Sequence, residues 1–274
     1  MKTKSVLITG AGSGFGRDSA LRLAEHGHQV IAAVQHQGQA AEMKQMAKQR
    51  GVEMRTEKLD LLSQADRDAA RQWEIDVLVN NAAIGEGGPI SEIPLELVRN
   101  VFEVNVFSTL ALTQGIVRQM VKRGSGRVIF VSSIAGLVAG SYLAAYSSSK
   151  HALEAIAEAL HHELAPHGIQ VATLNPGPYA TGFNERMIEG TRRWYDPNRN
   201  FTRPEDLAKL GQRFAKEYDP EEIVQAMVAL VEADFGKYRT VLPKESEEFV
   251  RKTEKEAWTR LQTPGSTERT RKTA

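Results

Sequence analysis

The chain has no cysteine among its 274 residues. That excludes a disulfide framework, a thiol nucleophile and a cysteine-ligated metal. It has no excess charge of either sign: 35 Lys and Arg face 34 Asp and Glu, a formal net charge of +1. No overall field draws it to nucleic acid or to a charged membrane surface, so neither partner is expected. It also has no apolar run near the roughly 20 residues that span a bilayer. Lys2-Thr3-Lys4 leads directly into Ser5-Val6-Leu7-Ile8-Thr9. That start has neither the apolar stretch nor the cleavage site of a signal peptide, and a soluble cytoplasmic protein is expected. His161 and His162 are adjacent and diverge on a helix, so no metal site is expected. Hydrophobic residues make up 41% and charged residues 25%, ordinary values for a globular chain long enough to bury a sizeable core.

What is present is alternation. Strand candidates at 6–8, 29–34, 52–59, 76–79, 126–132, 169–174 and 239–242, most of them apolar, alternate with helical patterns at 15–26, 39–50, 63–73, 97–122, 146–165 and 221–233. Continuously apolar strands between helices predict an α/β fold. Its doubly wound parallel sheet, of about seven strands, would be covered on both faces. No compositional break or internal repeat divides the chain, so one domain is expected over residues 1–261. Residues 179–220 mix aromatic and charged side chains less regularly and read as a substrate-binding lid. Residues 262–274, with Pro264, Gly265, Arg269, Arg271 and Lys272, read as a disordered polar tail.

The first strand runs into Thr9-Gly10-Ala11-Gly12-Ser13-Gly14-Phe15-Gly16 and then a helix. Glycines permit the tight turn and a close approach of phosphate to backbone. The helix N-terminus adds free N–H groups and the positive end of its dipole. The spacing is T-G-x-x-x-G-x-G, since Phe15 and Arg17 break G-x-G-x-x-G, and no Gly-Lys-Ser/Thr follows as in a Walker loop. A nucleotide-binding Rossmann-like turn is expected, against the plainer reading of a glycine-rich turn without ligand.

Tyr146-Ser147-Ser148-Ser149-Lys150 opens the second long helix. Residues four apart share a helix face. An ammonium beside a phenol favours the phenolate, making Tyr146 a plausible acid or base. Alone, such a pair usually lies on the surface. Val131-Ser132-Ser133 ends a buried strand, and ligands bind at the carboxyl ends of strands in open parallel sheets. Ser133 is therefore placed to hydrogen-bond a substrate oxygen, and Ser132 to serve the turn. Asn80-Asn81-Ala82-Ala83 follows the fourth strand, and Asn105 interrupts an otherwise apolar helix. Singly, these would be turn formers and a satisfied core amide.

Together these motifs, with Asp60 after the third strand and Asn175-Pro176-Gly177 with Thr181, resemble the short-chain dehydrogenase/reductase family from Lys4 to about Leu242. The resemblance implies an NAD(P)-dependent oxidoreductase acting on an alcohol or ketone. Tyr146 would exchange the proton with the substrate oxygen, and Ser133 would hold that oxygen. Lys150 would bind the nicotinamide ribose and depress the Tyr146 pKa, and Asn105 would keep a water in the proton relay. The cofactor would meet Thr9, Gly10, Ser13, Gly14, Phe15, Gly16 and Gln35. Asp60 and Leu61 would meet its adenine, and Asn81, Ala82 and Ala83 its adenosine and ribose. Pro176, Gly177, Tyr179 and Thr181 would place the carboxamide. Ala83 stands where the family often has Gly. The helices at 97–122 and 146–165 resemble the family's subunit-contact helices, so a homodimer or homotetramer is expected.

An NAD enzyme of this shape carries an acid at the end of the second strand. Here Val34-Gln35-His36 has none, and Ser13 in the glycine turn is not basic. Without an acid nothing repels a 2′-phosphate. Gln35, His36 and Arg17 could donate to one, and the balance leans to NADP. The substrate pocket is expected around Leu137, Tyr142 and residues 179–215. Tyr179, Phe183, Met187, Trp194, Tyr195 and Phe201 there suggest an apolar or aromatic substrate, such as a steroid-like or aryl ketone. The same residues could instead pack on the core or a partner. Arg186, Arg192 and Arg193 could meet an acidic substrate or simply be solvated. A non-catalytic nucleotide sensor would not require Asn105, Ser133, Tyr146 and Lys150 together. An epimerase or dehydratase on this fold usually spaces its glycines as T-G-x-x-G-x-x-G.

Overall fold

The computed structural model describes residues 2–261; the stretch 262–274, expected to be a tail, lies outside the described residues. The strands are β1 (Ser5–Thr9), β2 (Gln29–Val34), β3 (Arg55–Lys58), β4 (Val77–Asn80), β5 (Gly126–Val131), β6 (Ile169–Pro176) and β7 (Arg239–Leu242). The helices are α1 (Gly14–Glu25), α2 (Gln37–Gln49), α3 (Gln64–Ala70), α4 (Leu95–Phe102), α5 (Thr109–Arg123), α6 (Ala144–Leu164), α7 (Phe183–Gly190), α8 (Pro204–Gln212), α9 (Glu221–Glu232) and α10 (Lys244–Ala257). The strands form one seven-stranded sheet in the order β3-β2-β1-β4-β5-β6-β7, parallel throughout. This is the doubly wound Rossmann-like sheet that the apolar runs predict.

Successive strand residues face opposite sides, and here both sides are covered. Val6 and Ile8 pack with Leu21 of α1, Met43 of α2 and Met227 of α9. Leu7 and Leu78 pack the other way, with Ala70 of α3, Ile116 of α5 and Leu153 of α6. Burying each such large side chain contributes about 1.5–3 kcal/mol, which is why the strands read as unbroken apolar runs.

Several elements differ from the sequence expectation. The helix expected over 97–122 is two, α4 and α5, joined by a π-helical turn at Glu103–Ser108. An inserted residue of this kind re-aims side chains locally, and Asn105 lies within it. The third strand pairs only over Arg55–Lys58, because Val52 and Met54 pack against the helix-side core before the ladder begins. Residues 179–220 contain α7 and α8, and α10 follows β7 unanticipated. The sequence of α10, KESEEFVRKTEKEA, has few large apolar positions to reveal its period.

Candidate active site

Strand order reverses between β1 and β4, and their carboxyl ends flank a crevice. The turns after these strands are laced together. Thr9 Oγ1 accepts from the N–H groups of Asn81 and Ala82, each at 3.0 Å. Asn81 Nδ2 donates to the carbonyls of Thr9 at 2.9 Å and Gly10 at 3.2 Å. Gly10 has φ +65°, and a Cβ there would stand 2.7 Å from the Ala82 α-carbon. Only glycine combines that conformation with that approach. A Cβ on Gly16 would run into the Asn81 amide. Thr9 and Gly16, expected to touch cofactor, therefore shape the crevice from behind and do not line it.

Helix α1 starts at the crevice. Its N-cap, Ser13, makes no side-chain cap hydrogen bond, and its first turn carries no acid. The first N–H groups are thus open to an anion. The crevice widens into a cavity of about 840 Å³. Gln35, Asp60 and Leu61 line it at the ends of β2 and β3. Gly10, Ser13, Gly14 and Phe15 line it from the glycine turn, and Asn81, Ala82 and Ala83 from the turn after β4. Ser133, Tyr146 and Lys150 meet Pro176, Gly177, Tyr179 and Thr181 on its walls. An uncapped helix start, an elongated cavity and buried hydroxyl and amine groups fit a dinucleotide with room for a substrate.

Tyr146 and Lys150 lie on successive turns at the start of α6, as their spacing predicts. That start has neither side-chain cap nor acid in its first turn, so its dipole also favours an anion nearby. Tyr146 is 9% exposed, with the Phe183 ring 5.4 Å from its own. Burial raises its phenol above the ordinary value, and Ser133 works in the opposite direction. Lys150 is buried, and its Nζ donates to the Val131 carbonyl at 2.8 Å. It stands 5.7 Å from the Tyr146 ring centre. Burial pushes its ammonium down to about 8, while Glu154 pulls it up. Burial thus dominates both groups in the protein alone, and it opposes the simple picture of an ammonium lowering a phenol.

Glu154, which the sequence did not single out, lies one turn beyond Lys150. One carboxylate oxygen accepts from Asn175 Nδ2 at 2.6 Å, and the other from Arg239 Nη2 at 2.8 Å. Asn175 also donates to the Ser133 carbonyl at 3.2 Å. A buried carboxylate needs such partners. The spacing Lys150–Glu154 was the available signal, but its partners on β6 and β7 were not visible. The Ser133 hydroxyl donates a long bond to the Pro176 carbonyl at 3.3 Å and accepts from Ala135 N–H at 3.1 Å.

Asn105 is 1% exposed and does not line the cavity. Its Oδ1 accepts from Ile84 N–H at 2.9 Å, and its Nδ2 donates to the Ile84 carbonyl at 2.8 Å and to Ser149 Oγ at 3.0 Å. Ser149 donates to the Tyr146 carbonyl at 2.7 Å. The amide thus joins the β4 turn to the α6 backbone, a bracing position.

Of the expected pocket wall, Tyr179, Phe183 and Met187 line the cavity, joined by Val138, Ala139, Gly140, Leu143 and Phe214. Leu137, Tyr142, Trp194, Tyr195 and Phe201 do not. Tyr142 has φ 66° and packs against the cluster of Leu143, Tyr146, Met187 and Leu210 without lining the cavity. Trp194 lies over Gly88, and the Tyr195 hydroxyl donates to the Thr202 carbonyl at 2.6 Å. At the end of β2, Arg17 is held by Asp18 at 2.7 Å and His36 caps α2, so neither lines the cavity. Gln39, missed in the sequence, does.

A parallel sheet that opens at its switch point onto an uncapped helix defines the class: a dinucleotide-binding α/β protein. The short chain dehydrogenase profile matches residues 4–191. The uncharacterized oxidoreductase YusZ of Bacillus subtilis is 37% identical over 188 residues, 66% of this chain and 67% of that protein. The structure of a short chain dehydrogenase/reductase from Burkholderia phymatum in complex with NAD superposes with a TM-score of 0.78 at 26% identity, covering 96% of this chain and 97% of that one. A short chain dehydrogenase from Burkholderia cenocepacia in complex with NADP gives 0.73 at 25% identity, covering 96% and 99%. This chain belongs to the short-chain dehydrogenase family of NAD(P)-dependent oxidoreductases.

Proposed function

We propose that this protein interconverts a secondary alcohol and a ketone on an apolar or aromatic molecule, with Tyr146 as the acid and base. The observation that carries this is the convergence of Ser133, Tyr146 and Lys150 on one cavity. A nicotinamide cofactor, when bound, supplies or takes up the hydride. Ser133 exchanges its long bond to Pro176 for one donated to the substrate oxygen. Tyr146 gives its phenolic proton to that oxygen in reduction and takes it back in oxidation. Lys150, oriented by the Val131 carbonyl, keeps positive charge beside the phenolate that remains. Residues 179–220 serve as the lid, since Phe183 and Met187 close over Tyr146 and exclude water.

For the cofactor, the reading is NADP. No carboxylate lies at the end of β2, where the Gln35 N–H donates to Gln39 Oε1 at 3.1 Å. These amides can turn their donors to a 2′-phosphate, and no carboxylate among the described residues there would repel it. Titration with NADPH and NADH, followed by nicotinamide fluorescence, should show NADPH binding about tenfold more tightly, the worth of one or two charge-assisted hydrogen bonds. Tighter NADH binding would reverse the cofactor assignment. Binding of neither would remove the enzyme reading.

A homodimer or homotetramer in the cytoplasm is the accompanying proposal. Leu95 and Phe107, on and just before the α4–α5 face, are 56% and 57% exposed. Ala155 and Ala159 are exposed along α6. Such apolar faces fit helix packing against a second copy. Light scattering should give two or four times the 30.3 kDa chain mass; the mass of one chain would exclude this.

A further inference from the structure

The cavity wall contributed by α7, α8 and the loop before α6 is mostly apolar, with Asn184 and two cations as its charged or amide-bearing members. Arg186 and the residue after α8, Arg213, line it beside Phe183, Met187, Leu143 and Phe214. Three neighbouring cations are neutralised: Arg193 pairs with Glu86, and Arg203 and Lys209 pair with Asp206. Arg186 and Arg213 have no carboxylate partner among the described residues. Among the described residues, the one acid lining the cavity is Asp60, at the end of β3. Asn184, on the same wall, turns its amide to Glu217 at 2.5 Å.

Position separates the two arginines. Arg186 Nη1 lies 2.9 Å from where a Cβ on Gly182 would be. Gly182 follows Thr181, which overhangs Gly14 of the glycine turn, so Arg186 is also within the cofactor's neighbourhood. Arg213 Nη1 lies 2.6 Å from where a Cβ on Gly140 would be. Its guanidinium rests on that bare α-carbon, spanning from α8 to the loop that runs from Ser133 to α6. A guanidinium at an apolar wall, with its donors uncommitted, matches a carboxylate in charge and fork geometry.

We propose that the substrate is an oxo or hydroxy acid: an apolar body that carries, besides the reacting oxygen, a carboxylate held by Arg213. This deepens the oxidoreductase reading above and rests on it for the reacting oxygen. The probes are 4-benzoylbenzoate and its methyl ester, two diaryl ketones differing in one negative charge. Binding to the NADPH-loaded protein is read by calorimetry, and turnover separately by NADPH consumption. The acid should bind about tenfold more tightly than the ester, with the gap narrowing as salt is added. Arg213→Leu should bring the acid to the affinity of the ester, leaving NADPH affinity and ester binding unchanged. Arg213→Lys, which keeps the charge, should retain part of the preference. Equal affinity for acid and ester, a preference that survives Arg213→Leu, or binding of neither ketone would overturn the proposal. A binding preference without turnover of either ketone would instead count against the oxidoreductase reading and leave the carboxylate site standing.

Discussion

Tyr146→Phe is expected to lower turnover by about 10³-fold, the usual scale for loss of a positioned acid or base. The fold and the affinity for NADPH should be retained. The reason lies in what the substitution keeps. The Tyr146 ring, tilted against Phe183 with centroids 5.4 Å apart, is preserved, and α6 loses no packing. Only the phenolic proton disappears. With it goes the one group in the cavity whose hydroxyl follows directly from the Tyr-x-x-x-Lys spacing. Steady-state rates for ketone reduction, alongside an NADPH titration, test this. Parent-like turnover with intact cofactor binding would remove Tyr146 from the chemistry and turn attention to Ser133.

Lys150→Met should cost activity and spare stability. At an effective dielectric of about 20, two unit charges about 6 Å apart interact by roughly 3 kcal/mol. Removing the ammonium beside the phenolate should therefore slow alcohol oxidation about 10²-fold at neutral pH. It should also move the rise of activity to a pH higher by about 2 units. Stability should change in the opposite sense. Burial holds the folded ammonium down to about 8, against 10.5 for the free group. Between those values the unfolded chain binds the extra proton, so stability rises with pH across this window. Below pH 8 the folded protein bears the full cost of a buried charge. The methionine variant is therefore expected to melt no lower than the parent at pH 7. Any advantage it shows should shrink as pH rises from 8 toward 10.5. A lower melting temperature at pH 7 would mean that the bond to Val131 and the charge of Glu154 more than repay burial.

These two residues could be read from the sequence because their relation is local. A four-residue spacing on a helix determines a shared face whatever surrounds it. The glycine turn was legible for a similar reason: strand, glycines and helix start are contiguous, and the chain direction alone brings the first N–H groups of α1 to the crevice. The sheet followed from unbroken apolar runs such as Val6–Ile8 and Gln29–Val34, since only strands covered on both faces tolerate them. Even the long helix over 97–122 was right in extent. Its π-helical turn was invisible because it depends on Asn105 reaching Ile84, twenty-one residues earlier.

The parallel-sheet class, most of the covering helices and the Tyr146–Lys150 pair were determined by the sequence alone, through periodicity and local geometry, whereas the strand order came from the tertiary pairing. Partnership across the fold was decided only in the tertiary structure. Thr9, Gly16 and Asn105 stand behind the cavity because hydrogen bonds between separate loops use their polar groups or their space. Arg17 was drawn away by its neighbour Asp18, while Arg213, unremarkable in the chain, was carried by α8 to the cavity wall. Glu154 acquired its place under Lys150 from Asn175 and Arg239, on two strands far along the chain. Each of these outcomes depends on which groups satisfy one another once water is excluded, and that pairing exists only when the chain has closed on itself.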